Sequence, residues 1–124
     1  MNEVYPAIGE QGFTALVSAF YAQVPTDPIL GPMYPDQDWA GAEERLRDFL
    51  VYRFGGPARY IEQRGHPRLR GRHMPFVIDQ AARDRWVLLM DTALEQTSEI
   101  PPEVRRRLGE FLADVASFLI NRAP

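Results

Sequence analysis

Hydrophobic residues recur at intervals of three and four residues in four long segments of the chain. This spacing places apolar side chains on one face of a helix, so each segment predicts an amphipathic helix that packs into a core. The four apolar stripes are Phe13, Leu16, Val17, Phe20, Tyr21 and Val24; Ala42, Leu46, Phe49 and Leu50; Trp86, Leu89, Met90, Ala93 and Leu94; and Val104, Leu108, Phe111, Leu112, Val115, Phe118 and Leu119. The second segment also has a polar side, with Glu43, Glu44, Arg47 and Asp48 mostly away from its stripe.

Capping and helix-breaking residues predict where these helices begin and end. Asp27 followed by Pro28 predicts the start of a short helix, and Asp79 is placed to cap the helix that carries Trp86. Residues 101–103, Pro-Pro-Glu, open the last helix with an acidic residue near its N-terminus. Residues 55–57, Gly-Gly-Pro, end the second helix. No segment shows the alternation of apolar and polar residues that is typical of a β-strand. We therefore expect an all-α single domain over residues 1–124.

A connector in the middle of the chain has a different character. Residues 57–78 hold five arginines, two histidines, three prolines and two glycines, with only weak apolar periodicity. The prolines at 67 and 75 leave room for one or two helical turns between them. Compact helical domains rarely keep a connector of roughly 20 residues with little regular structure unless it has a function. We therefore expect this segment to hold a ligand.

Composition and net charge argue against several classes of function. The formal net charge of −3 at pH 7 argues against a general nucleic-acid binder, which would present a basic face. The chain has no cysteine, which excludes disulfides, thiolate metal sites and thiol nucleophiles and suits a reducing cytosol. No segment approaches the ~20 apolar residues of a membrane span, and the N-terminus lacks the pattern of a signal peptide. We expect a cytoplasmic protein with no membrane partner.

The two histidines are the first candidates for chemistry. His66 and His73 are seven residues apart and do not have the spacing of a zinc helix. Haem binding requires one neutral imidazole as the iron ligand. It also favours cationic side chains near the propionates and apolar side chains on the other side of the imidazole. The stretch RLRGRHMPF around His73 has that arrangement, but an exposed basic loop has the same composition. From the residues alone, both interpretations of His73 stay open.

Tyr21 and Trp86 each place a polar group on an apolar helix face. Packing alone explains them if backbone or water satisfies the hydroxyl and the indole N–H. Alternatively, they donate hydrogen bonds to dioxygen held by haem, which carries partial negative charge and is stabilised more than carbon monoxide. The chain has no phosphate-binding glycine loop, nucleophile elbow or HExxH motif.

Four stretches of the sequence resemble one protein family, the group II truncated haemoglobins. The stretches are FYAQVPTDPILGPMYP at 20–35, AGAEERLRDFL at 40–50, GGPARYIEQRGHPRLRGRHMPF at 55–76 and DRW at 84–86. The resemblance covers nearly the whole chain, and the third block is the most specific. It implies a globin-like, truncated two-over-two helical sandwich in which a loop largely replaces the helix before the proximal histidine.

The resemblance also implies roles for individual residues. His73 matches the proximal ligand of the haem iron. Tyr21, Tyr34 and Trp86 match the distal hydrogen-bond donors, and Ala42 lies where longer globins keep a distal histidine and leaves an opening for ligand entry. The remaining matches are Leu46 and Phe49 as apolar residues of the distal pocket, and Arg45, Tyr60 and Arg72 as contacts of the haem propionates.

The chain departs from the family pattern in two places. The family usually has a glycine pair between its first two helices, where this chain has Gly9, Glu10 and Gly12. The aromatic pair ahead of Gly55 is normally tyrosine and tryptophan, and here it is Arg53-Phe54. Neither change touches the expected iron ligand.

The resemblance implies a haem protein that reversibly binds dioxygen, nitric oxide or carbon monoxide. Members of the family are linked to oxygen storage or transport, nitric-oxide detoxification and peroxidase-like turnover, so enzyme activity stays open and would need an external reductase. Two alternatives are a haem-free helical interaction module and a haem-based gas sensor, for which no output domain is attached. We expect a monomer or a homodimer.

Overall fold

The computed structural model describes residues 3–34 and 37–122, which form six α-helices and one short 3₁₀ helix without any strand. The long helices are α1 (Val4–Tyr21), α2 (Trp39–Arg53), α5 (Gln80–Gln96) and α6 (Pro102–Phe118). Two short helices, α3 (Arg59–Arg64) and α4 (Leu69–His73), lie within the connector, and the 3₁₀ helix spans Gly31–Met33. The all-α prediction is confirmed. Pro35, the last residue of the first family-like stretch, lies outside the described residues.

The four long helices form two packed pairs. Helix α1 packs on α2, α5 packs on α6, and α1 also packs on α5, which joins the two pairs into the two-over-two arrangement. Their shared core contains fully buried aromatic and aliphatic side chains, among them Phe13, Leu16, Val17, Phe20, Leu50, Phe54, Met90 and Leu108. The apolar stripes read from the sequence therefore supply most of the core.

The predicted helix boundaries are largely confirmed. The Asp79 carboxylate accepts the amide of Ala82 at 2.9 Å at the start of α5, and α6 begins at Pro102 with Glu103 in its first turn. Helix α2 ends at Arg53, just before Gly55, whose φ of 96° is a left-handed conformation that favours glycine.

The short helix expected at Asp27-Pro28 begins later than predicted. The chain turns over residues 28–30, and the helix that follows is the 3₁₀ segment Gly31–Met33. Asp27 does act as a cap, because its carboxylate accepts the amides of Ile29 and Leu30 at 3.0 and 2.9 Å. These two bonds close a side-chain turn in place of a first helical turn.

Two other details of the sequence prediction are wrong. Phe118 was expected on the core face of α6, yet it is the last residue of that helix, 57% exposed, with its ring 5.7 Å from the Arg70 guanidinium. The spacing of α2 predicts that Asp48 lies mostly away from the apolar stripe. In the structure Asp48 is buried and forms ion pairs with Arg47 and Arg59. The second pairing joins α2 to α3, and spacing along one helix cannot reveal it.

Both departures from the family pattern have a structural counterpart. At Gly9, φ is 64° and ψ is −177°, so α1 is broken there and a single glycine provides the bend. The guanidinium of Arg53 lies 5.6 Å from the Phe54 ring and 5.0 Å from the Phe111 ring. This cation–π arrangement replaces an aromatic side chain at that corner.

Candidate functional site

Two tyrosine hydroxyls meet where the end of α1 approaches the segment after the 3₁₀ helix. The Tyr21 and Tyr34 oxygens are 3.3 Å apart, and their rings meet edge to face at 5.7 Å. Burial raises the pKa of Tyr21 far above its usual value, and the neighbouring Tyr34 raises it further. Burial also raises the pKa of Tyr34, although the hydrogen bond with Tyr21 and the charge of Arg45 act in the opposite direction. Both phenols therefore keep their protons at neutral pH.

The two hydroxyl groups carry two protons, and the hydrogen bond between them uses only one. Either hydroxyl can be the donor in the Tyr21–Tyr34 bond, and the second O–H is then available to a third group. Tyr21 is only 7% exposed and Tyr34 is half-buried, so either hydroxyl has limited access to water. A buried O–H without a competing solvent partner binds a partially negative ligand strongly.

Phe20 connects the tyrosine pair to Trp86 on α5. The Phe20 ring is fully buried and lies 4.9 Å from the Tyr21 ring and 5.2 Å from the Trp86 ring. The Trp86 side chain is half-buried, and its indole N–H has no hydrogen bond within residues 3–34 and 37–122. Tyr21, Tyr34 and Trp86 are thus brought into one aromatic cluster, and their role toward a bound gas stays a prediction.

Helix α2 contributes the apolar residues Ala42, Leu46 and Phe49, which are spaced by four and three positions. Ala42 and Phe49 are buried, and Leu46 is half-buried against the core. The Phe49 ring meets the Tyr60 ring edge to face at 5.7 Å, so buried Tyr60 belongs to this apolar face. One side of α2 is therefore small and apolar, and its role as a wall of the distal pocket stays a prediction.

His73 is the last residue of α4 and is half-buried. Its Nδ1 lies 2.6 Å from the carbonyl oxygen of Leu69. A carbonyl oxygen only accepts, so Nδ1 donates the proton and the other ring nitrogen of the neutral imidazole, Nε2, carries the lone pair. Within the described part of the chain Nε2 has no hydrogen-bond partner. A metal-binding histidine is oriented by its other ring nitrogen in this manner.

An open, mostly apolar cleft of about 460 Å³ lies beside this short helix. Its walls come from α2, α4 and α6 and consist of Phe49, Tyr52, Arg53, Pro67, Leu69, Phe111, Asp114, Val115 and Phe118. Met74 and Val77, directly after His73, are each 57% exposed. Of the expected site residues only Phe49 lines this cleft, so the fit to haem rests on His73, an oriented imidazole with exposed apolar side chains directly after it in the chain, as a large apolar group that carries iron requires.

The three expected propionate contacts lie in different settings, and no contact between them occurs among the described residues. Arg45 is about half exposed and forms a 3.8 Å ion pair with Asp38. Tyr60 is buried. The Arg72 guanidinium donates to three backbone carbonyls, those of Pro67 and Arg64 at 2.7 Å each and that of His66 at 3.3 Å. Their role toward propionates stays a prediction.

Sequence reasoning missed two residues that hold the site together. Besides capping its turn, the Asp27 carboxylate accepts Arg85 Nε at 2.6 Å, which joins the segment leading to Tyr34 to α5 next to Trp86. Asn121 bonds to the segment after His73. The cap signal at Asp27 was visible in the sequence, whereas its partner 58 positions away was not. No pattern in the sequence points to Asn121.

Residues 3–34 and 37–122 contain no cluster of three histidine or acidic side chains that could hold a metal ion by themselves. Across the same residues, every helix is too short or too polar to cross a bilayer.

Comparisons with known proteins identify the family. Residues 3–118 match the bacterial-like globins. A group 2 truncated hemoglobin of Bacillus subtilis is 36% identical over 121 residues, which cover 98% of this chain and 90% of that protein. The thermostable hemoglobin of Thermobifida fusca superposes with a TM-score of 0.93 at 44% identity, over 98% of both chains. The truncated oxygen-avid haemoglobin of Bacillus subtilis superposes at 0.89 with 36% identity, over 95% of this chain and 98% of that one. This chain belongs to the group II truncated haemoglobins, which are haem globins.

Proposed function

We propose that this protein binds one haem through Nε2 of His73 and reversibly binds a diatomic gas, dioxygen first, next to Tyr21, Tyr34 and Trp86. Haem supplies the iron to which such a gas binds. The observation that carries the proposal is the 2.6 Å bond from His73 Nδ1 to the Leu69 carbonyl, because it fixes the tautomer and direction that an axial imidazole needs.

The distal residues favour dioxygen within the class of diatomic gases. The tyrosine pair offers a buried O–H that is not consumed in its mutual bond, and Trp86 adds an N–H. Such donors stabilise a ligand that gains negative charge, as dioxygen does, more than they stabilise carbon monoxide. The oxygen-avid description of the Bacillus subtilis relative supports this choice.

Redox activity toward nitric oxide or peroxide is a further part of the proposal. Three hydrogen-bond donors around the ligand slow its release, which suits chemistry on a retained gas better than rapid carriage. Haem iron that is oxidised in each turnover has to be reduced again, so sustained activity would require an external reductase. We place this activity in the cytoplasm, whose reducing conditions suit a chain without cysteine.

The test is a haem titration of the purified protein and two histidine variants, followed by absorption spectroscopy. His73→Ala is expected to lose the intense near-ultraviolet haem band or show it strongly weakened. His66→Ala is the matched control, since it removes the only other histidine, which is exposed, and it is expected to bind haem as the wild type does. If the wild type shows no haem band after incubation with excess haem and removal of the unbound haem, the chain is a haem-free interaction module instead.

A second measurement separates dioxygen binding from haem binding alone. The reduced haem-loaded protein is mixed with dioxygen and with carbon monoxide, and the release rate of each gas is measured by rapid mixing. We expect Tyr21→Phe to accelerate the release of dioxygen more than that of carbon monoxide. Equal acceleration of both gases would remove the proposed preference while leaving haem binding intact.

A further inference from the structure

The short helix α4, which ends in His73, is not held by side-chain burial. None of its residues is buried. The main helix packings of the fold join α1 with α2 and α5, α2 with α3, and α5 with α6, and α4 takes no part in them. Isolated helices of this length are unstable in water, because a single turn cannot repay the cost of nucleation. Other contacts must therefore fix the imidazole in place.

Asn121 provides such contacts from the C-terminal end of the chain. Its side-chain Nδ2 donates to the carbonyl oxygens of His73 at 3.2 Å and Phe76 at 2.9 Å. Its Oδ1 accepts the amide of Ile78 at 2.9 Å, and its own amide donates to the Ile78 carbonyl at 2.9 Å. One residue thus makes four hydrogen bonds to the stretch from His73, the last residue of α4, to Ile78.

A second contact reaches α4 from the same end of α6. Arg70, within α4, donates through one guanidinium nitrogen to the carbonyl oxygen of Phe118 at 2.8 Å, and its charge lies near the Phe118 ring. The bonds of Arg70 and Asn121 therefore bracket the imidazole from both sides along the chain. Because α6 packs on α5, these bonds tie α4 to the α5–α6 pair.

A simpler role for Asn121 would be to end α6. The capping position of that helix is Leu119, whose amide already bonds to the Val115 and Ala116 carbonyls, and the amide of Ile120 bonds to the Ser117 carbonyl. The Asn121 side chain donates to residues 73 and 76, and neither of its donor bonds reaches a carbonyl of α6. Its amide group is thus engaged with the segment that follows the imidazole, about 45 positions away in sequence.

We propose that Asn121 is a positioning residue for the imidazole of His73, and that the C-terminal end of the chain sets how firmly haem is held. This rests on the proposed function, since it concerns the same iron ligand. The donor half of the amide, which bonds to His73 and Phe76, is the part that matters, and the acceptor half secures Ile78.

Two substitutions separate these halves. Asn121→Asp keeps an oxygen for the Ile78 amide but places a carboxylate against the two carbonyls, whereas Asn121→Ala removes all three side-chain bonds. Arg122→Ala is the matched control, because it changes the exposed next residue. Haem transfer to an excess of apomyoglobin gives the rate of haem loss. The iron–histidine stretching frequency, measured by resonance Raman spectroscopy, reports on the imidazole itself.

We expect both Asn121 variants to lose haem roughly tenfold faster than the wild type and to shift the iron–histidine frequency, with no change in the control. Hydrogen exchange of the haem-free protein adds an independent readout. The Ile78 amide is expected to exchange faster in Asn121→Ala than in Asn121→Asp, while buried Met90 on α5 keeps its protection.

Two results would contradict the positioning role of Asn121, and a third would contradict the proposed function. Haem loss and a Raman frequency equal to the wild type in both variants would overturn the positioning role while leaving haem binding intact. Loss of protection at Met90 together with Ile78 would also overturn it, since Asn121 would then stabilise the whole fold. A wild-type protein that takes up no haem would contradict the proposed function itself, and the hydrogen exchange would still show whether Asn121 holds the segment.

Discussion

The proposed distal and proximal sides of the haem site are built by different means. On the distal side, Tyr21 and Trp86 belong to long helices and pack on the fully buried ring of Phe20. On the proximal side, His73 ends a five-residue helix with no buried side chain, and hydrogen bonds from Arg70, Arg72 and Asn121 hold it.

Because of this difference, the two sides should respond differently to amino-acid substitutions. Aromatic packing in a core resists local opening, because a buried ring cannot leave without unfolding its neighbours. A short helix held by exposed hydrogen bonds can open locally at a small cost in free energy. We therefore expect distal substitutions to change global stability and gas release, and proximal ones to change how haem is held.

The largest effect is expected from removing the ring that joins the distal residues. Phe20→Ala should lower the free energy of unfolding by about 3–5 kcal/mol, because it empties a fully buried site. Phe118→Ala is the control, since its ring is 57% exposed and should cost little. Urea denaturation followed by circular dichroism measures both. Equal losses would contradict the placement of the core.

A somewhat smaller loss of stability is expected at Asp27, which links the segment before Tyr34 to α5. Asp27→Ala removes two backbone caps and leaves the partly exposed Arg85 without its carboxylate, so it should cost about 2–4 kcal/mol. Asp84→Ala, in an exposed ion pair with Arg83, should change urea denaturation little. A stable Asp27 variant would show that the link is dispensable.

The contribution of Asp27 should depend on pH. Burial alone would raise the pKa of its carboxyl, but bonds from the Leu30 amide, Arg85 and the Ile29 amide outweigh burial and lower the pKa. A lowered pKa in the folded state means that the stabilisation is present above the unfolded value of about 3.9 and is lost as the pH falls through the folded value. The stability gap between wild type and Asp27→Asn should thus narrow below about pH 4, as urea curves at several pH values would show.

A smaller free-energy change is expected for gas release. Removing a distal donor in Tyr21→Phe or Trp86→Phe should speed dioxygen release by an amount that corresponds to about 1–3 kcal/mol. Tyr34 can compensate in part, because its hydroxyl lies 3.3 Å from that of Tyr21. The Tyr21→Phe, Trp86→Phe double variant is therefore the firmer test, and an unchanged release rate in it would contradict the distal role.

The smallest effect on stability is expected at Arg72, and it separates two roles of this residue. If its bonds to the Pro67, Arg64 and His66 carbonyls are its main function, Arg72→Gln should destabilise the haem-free protein by about 1 kcal/mol and expose α4 to hydrogen exchange. If a propionate contact dominates, haem loss should accelerate while the haem-free protein is unaffected. Arg68→Gln, an exposed arginine in the same segment, serves as the control.

Periodicity predicted the parts of the molecule that depend on one helix at a time. The stripes on α1, α2, α5 and α6 bury most of the residues expected, because burial follows directly from a 3.6-residue repeat. The exceptions that are half-buried are Leu46, Trp86, Val104, Phe111, Val115 and Leu119. Periodicity failed at Phe118, where the repeat continues to the last residue of α6. Helix α3 was missed as well, because its six residues, RYIEQR, are too few to show an apolar stripe.

Contacts between distant segments could not be read from the sequence. The pairing of Asp27 with Arg85 and the bonds of Asn121 to His73 and Phe76 join segments more than 40 positions apart. Each uses a polar residue of a common type, for which spacing along the chain gives no partner. The distal donors and His73 were predicted through the family resemblance, whereas the hydrogen bonds that orient them appear only in the fold.

The central claim is that the neutral imidazole of His73 holds the haem iron while its other nitrogen bonds to Leu69. A crystal structure of the protein grown with haem tests this most directly. The account predicts Nε2 of His73 bound to iron, Nδ1 still donating to the Leu69 carbonyl, and the Tyr21 hydroxyl on the opposite face of the haem. Iron bound instead by Met74 or His66, with the His73 ring turned into solvent, would contradict it.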